Sequence, residues 1–136
     1  MEAFEVVDQN KILARYIPNK AAWKEGLNFF SNEDEFQQVG TWSYDKEKYL
    51  KAHKHNILER KINITQEVIF VRKGSLKAKI YNHENVLCKV IKVFSGDILI
   101  LFSGGHGYEI LEDKTEVLEI KNGPYFGAEK DRSRIE

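Results

Sequence analysis

Strand signals dominate this chain: short runs rich in aliphatic, β-branched and aromatic residues, some of them alternating apolar and polar, are broken by polar or glycine-containing turns. "KILARYI" (11–17) is a first strand, stopped by Pro18. "NKAAWKEG" (19–26) reads as a short helical turn, with Asn19 as N-cap and Gly26 as the stop. "LNFF" and "FQQVGTWSY" are aromatic-rich strands around the polar turn "SNEDE". "YLKAHKHNIL" (49–58) is a further strand. "EVIFVRKGSLKAKIYN" (67–82) is two strands around a Lys73-Gly74-Ser75 turn. "VLCKVIKVF", "ILILF", "GGHGYEILED" and "TEVLEIK" follow, separated by the turns "NHEN" and "SGD". Many short strands, close turns and little helix predict an all-β sandwich or small barrel.

The chain has 136 residues, enough for one domain with a core that needs no disulfide. Lys+Arg and Asp+Glu balance at 21 each, so bulk charge gives no reason to expect a nucleic-acid partner. The single cysteine, Cys88, lies in a strand-like run and is expected as a small buried hydrophobe. No apolar run reaches the ~20 residues of a membrane span, and the N-terminal stretch does not resemble a signal peptide. A soluble cytoplasmic protein with no membrane partner is the expectation.

Candidate chemistry begins at "KAHKHN". Four histidines occur in the chain, and His53 and His55 stand one residue apart. On a strand they share one face, where they form either half of a metal site or a wet polar face. Downstream, Glu67 opens a strand that Gly74 ends. Further on, Gly96 and Asp97 form a turn, an apolar strand follows, and His106 comes after Gly104 and Gly105. The pattern resembles the cupin superfamily over roughly residues 40 to 120. Its first motif corresponds here to His53, His55, Glu67 and Gly74, and its second to Gly96, Phe102, Ser103, Gly104 and His106. The resemblance implies a double-stranded β-helix, a small jelly-roll barrel, whose core spans about residues 36–122. Strands 1–35 precede it, and a tail, 123–136, follows.

The resemblance also implies a metal held by His53, His55, Glu67 and His106. Three imidazoles and a carboxylate suit divalent Fe, Mn, Ni, Zn or Cu. There are departures. Eleven residues separate His55 from Glu67, longer than in the family pattern. Glu59 stands at the shorter spacing and is the rival ligand. Phe102 replaces the family's proline, and the second motif is one residue short before His106. His83, in "NHEN", reads as a solvated turn residue.

Alternation puts Lys51 on the face of His53 and His55, and Tyr108 on that of His106. Both are candidate catalytic groups that orient an anionic or hydroxylated ligand or move a proton; the alternative is a snorkelling lysine and a core tyrosine. Gln38, Trp42 and Tyr44 share a strand face that lines a sugar or aromatic pocket or else forms an ordinary barrel wall or a dimer strand. The Gly123-Pro124-Tyr125 segment resembles the end of some small bacterial cupins associated with surface-sugar biosynthesis. The tail reads either as a lid carrying Tyr125 and Arg132 or as a packing segment. The expected function is that of a metal-dependent enzyme, an isomerase, epimerase or dioxygenase, on a small polar metabolite such as a sugar derivative or a hydroxy or keto acid. The alternative is a non-catalytic binding or sensor module. A homodimer packed through the N-terminal strands is expected.

Overall fold

The computed structural model describes residues 1–136 and is all-β apart from two single-turn helices. The strands are β1 (Phe4–Asp8), β2 (Lys11–Ile17), β3 (Gly26–Phe29), β4 (Gly40–Ser43), β5 (Glu67–Lys73), β6 (Ser75–Tyr81), β7 (Leu87–Phe94), β8 (Ile98–Leu101), β9 (Gly105–Ile110) and β10 (Glu116–Lys121). The helical turns are α1 (Asn19–Ala22) and α2 (Ala128–Asp131). A five-stranded antiparallel sheet runs β1-β2-β8-β5-β10, a three-stranded sheet runs β7-β6-β9, and β3 pairs β4.

The period of two explains how the sheets stack. On β5 and β8, Ile69, Val71, Leu99 and Leu101 enter one core with Leu13 and Tyr16 of β2, Leu76, Ala78 and Ile80 of β6, and Ile91 and Val93 of β7. This core lies between the two large sheets. The intervening residues Val68, Ile98 and Ile100 turn to the opposite face, where with Phe102 they meet Ile17 and Ala22 and are flanked by Phe30 and Val39. The five-stranded sheet is thus apolar on both faces, which is why "ILIL" is continuous rather than alternating. No helix is long and apolar enough to cross a membrane.

The sandwich is not closed all round. β9 and β10 are terminal strands of their sheets, and both border one cleft. Residues 44–66, including the expected strand 49–58, carry no strand, so nothing pairs with either edge there. Unlike the neighbouring runs, this stretch has an exposed polar or charged residue at most positions, and its first buried residue is the polar Gln66 at its end. A segment that buries no apolar side chain gains little from being ordered as a strand.

Other local expectations change as well. Pro18, not Asn19, occupies the N-cap of α1, and the Asn19 backbone N–H is taken by Asp97 Oδ1 at 2.7 Å. The strand expected over "FQQVGTWSY" shrinks to Gly40–Ser43, because Gln37 and Gln38 bond to Gln66 and to loop carbonyls instead of a neighbouring strand. "FEVVD" forms β1, which the sequence reading did not assign. Cys88 is exposed rather than buried, because the core-facing positions of β7 are Ile91 and Val93, an odd number of residues away.

Candidate functional site

The cleft between the free edges has a volume of about 1290 Å³, larger than a typical small-molecule site. Its floor comes from the first residue of β5 and the inward face of β9. Register fixes that face: His106, Tyr108 and Ile110 pair with the buried Ile80, Ala78 and Leu76 of β6. Glu67 reaches the same space from the opposite sheet, beside Lys121 and diagonal to Glu119 on β10. The turn that delivers His106 is tightly built. Phe102 is buried beneath the Arg15 guanidinium, 4.7 Å from its ring centre, and Ser103 Oγ donates to the Ile12 carbonyl at 2.8 Å. Gly104 has φ of +74°, and a Cβ there would strike the Tyr81 carbonyl oxygen, so only glycine suits the position. This is where the second motif has phenylalanine in place of proline.

His106 Nε2 lies 2.8 Å from Glu67 Oε2. Burial alone would raise the Glu67 carboxyl, but the hydrogen bonds it shares with His106 and Glu119 outweigh burial and hold the group well below the usual carboxylate range. Glu119 moves the other way, because its hydrogen bond to Glu67 and its own burial favour the protonated form. Two neighbouring carboxyls are thus pushed in opposite directions. Tyr108 has its ring 5.3 Å from that of His106. Burial, then the charges of Glu67 and Glu119, push its phenol upward, so it remains a hydrogen-bond donor at neutral pH.

Two of the four residues that the resemblance assigns to a metal are therefore in contact, and two are elsewhere. His53 and His55 lie on the exposed segment 44–66 with their rings 5.2 Å apart, away from the cleft lining. No three His, Cys, Asp or Glu side chains are grouped so as to hold an ion. Glu59, the rival carboxylate, is also exposed on that segment.

Of the candidate catalytic pair, Tyr108 lines the cleft, whereas Lys51 is exposed and outside it. Alternation does not carry Lys51 to the site, because its stretch is not a strand. Gln38 folds back on the 31–39 loop, bonding the Asn32 and Glu35 carbonyls, and does not join Trp42 and Tyr44. His83 is exposed as expected, with Nε2 3.1 Å from Ser103 Oγ at the cleft rim. The sequence reading missed Glu119 and Lys121. The available signal was alternation in "TEVLEIK", which places Val117, Glu119 and Lys121 on one face. No protein-family model matches the chain, and no curated protein and no solved structure matches it.

Proposed function

We propose that this chain is a cupin-like protein that takes a small polar metabolite into the cleft and moves a proton on it, with Glu67 and His106 as the working pair. The observation that carries this reading is the 2.8 Å contact between Glu67 and His106 on the cleft floor, made between two different sheets. With Nε2–H donating to the carboxylate, the neutral ring presents Nδ1 as its free acceptor. Glu67 then orients the imidazole and stabilises the imidazolium that forms when Nδ1 takes a proton. Tyr108 offers a hydroxyl donor beside the ring to a ligand oxygen. A base, an orienting carboxylate and a neutral donor together suit proton transfer next to a carbonyl, as in an isomerase or epimerase of sugar derivatives or of hydroxy or keto acids.

Deuterium incorporation from solvent into a panel of such compounds, followed by NMR, tests the reading. Incorporation should fall by about 10²–10⁴-fold in His106→Ala and Glu67→Gln. Binding without incorporation would make the chain a non-catalytic binding module, and absence of both would overturn the reading.

A metal-dependent version is favoured by one observation: the edge of β9, which carries His106, is unpaired, and "YLKAHKHNIL" has the length and spacing to add to it as a strand. His53 and His55 would then share a face near His106 and Glu67. An ion held there would polarise a ligand oxygen. Elemental analysis of protein purified without chelator is the test. Close to one first-row transition ion per chain is expected, lost in His53→Ala and in His106→Ala, and full metal content in both variants would overturn this version.

A further inference from the structure

The segment after β10 takes a path that the proposed chemistry does not use. It leaves the β10 edge at Lys121, makes the single turn α2, and finishes against β9. It does not pack on the inward face of β9. His106, Tyr108 and Ile110 face inward, so Gly105 and Gly107 present the opposite side. Ile135 Cδ1 occupies the space where a Cβ at Gly105 would stand, and Glu136 lies beside Gly107. To pass from β10 to the outward side of β9, the chain must cross the gap between the two free edges. Residues 122–124 and 130–136 accordingly line the cleft together with Glu67 and His106.

The crossing is lightly fastened. The backbone hydrogen bonds of Asp131 and Arg132 run to Gly127 and Ala128, inside the segment itself. Asn122 is tied to Gln66 and Ile64 at the near end. Beyond it, one side-chain hydrogen bond reaches the body of the protein, from Thr65 Oγ1 to Asp131 Oδ1 at 3.5 Å. Lys130, Arg132, Arg134 and Glu136 form no ion pair. Among residues 128–136, Ile135 alone is partly buried and the others are exposed. A single apolar side chain seated on a glycine therefore holds the far end.

We propose that residues 122–136 form a strap across the mouth of the cleft, latched by Ile135 on Gly105, and that release of this latch opens the way to the Glu67–His106 floor. The inference rests on the proposed function only in taking that floor as the ligand's destination. Its test needs no ligand. Diethyl pyrocarbonate modifies accessible imidazoles, and the rate at each histidine is read by mass spectrometry of the full-length chain. His53 and His55 are exposed and serve as internal references.

In the wild type His106 should react several-fold more slowly than either reference. Ile135→Asp should speed His106 by about five- to ten-fold, the factor that losing a half-buried isoleucine contact corresponds to, with the references unchanged. Deletion of 133–136 should do the same, and Ile135→Leu should behave as wild type. Circular dichroism should show the β fold intact in all three. An unchanged His106 rate in both Ile135→Asp and the deletion would overturn the strap. A strap that responds as expected in a protein that binds none of the metabolite panel would instead overturn the proposed function and leave the strap standing.

Discussion

Replacing Asp97 with alanine removes a carboxylate that ties three elements together. Oδ2 accepts from the Tyr16 hydroxyl at 2.6 Å and from the Phe94 N–H at 2.8 Å, and Oδ1 accepts from the Asn19 N–H at 2.7 Å. Asp97 is 3% exposed and Tyr16 2%, so water does not replace these bonds without rearrangement. Hydrogen bonds to a charged group contribute about 1.5–3 kcal/mol each, which bounds the loss at roughly 9 kcal/mol. Bonds to one carboxylate are not additive, and the loss expected for Asp97→Ala is about 4 kcal/mol. Against a typical total of about 5–15 kcal/mol, that is a large fraction. In urea it corresponds to a fall in midpoint of about 2 M at an ordinary slope. Tyr16→Phe keeps the ring in the core and removes one donor to the carboxylate, for about 1.5–3 kcal/mol. In the Asp97→Ala background the same change should cost much less, because the acceptor is already gone. Equilibrium urea unfolding of the two single variants and the double variant measures both. A loss below about 1 kcal/mol in Asp97→Ala, or strict additivity with Tyr16→Phe, would show that this network does not fasten the β7–β8 turn.

Glu35 accepts two hydrogen bonds from Arg15, at 2.8 and 3.0 Å, and with the Asn32 N–H these outweigh its burial and lower its carboxyl from the ordinary value. A carboxyl lowered in the folded state adds stability above its unfolded value, and that part is lost as pH falls through the folded value. Glu35→Gln should therefore flatten the acid limb of a stability-versus-pH profile and cost about 2 kcal/mol at pH 7; a limb unchanged in shape would count against it. Gly74 has φ of +83°, and a Cβ there would overlap the Thr115 side chain, so Gly74→Ala should cost about 2 kcal/mol or more in thermal unfolding, and a neutral result would mean the β5–β6 turn is not held as described. Leu27, Phe29, Trp42 and Tyr44 form an exposed, uncharged face on the β3–β4 hairpin. Sedimentation should show a homodimer that Phe29→Ser combined with Trp42→Ser converts to monomer; a wild-type monomer at micromolar concentration would remove that role for the hairpin.

Period-two alternation was enough to establish an all-β chain, to begin β5 at Glu67 and to place the turn at Gly74, because each depends on residues close together in sequence. It also put Tyr108 on the face of His106. It failed for 49–58, which has four polar residues in a row at 53–56, buries no apolar face and forms no strand, so His53, His55 and Lys51 lie outside the cleft. It failed for Cys88, where a strand was correctly expected but the facing depended on which sheet lay beneath. Pairing order, the free edges of β9 and β10, and the meeting of Glu67 with His106 were decided by tertiary structure alone. They join residues 39 positions apart in the chain, and strand register with sheet stacking, not local preference, determines which side chains such distant segments bring into contact.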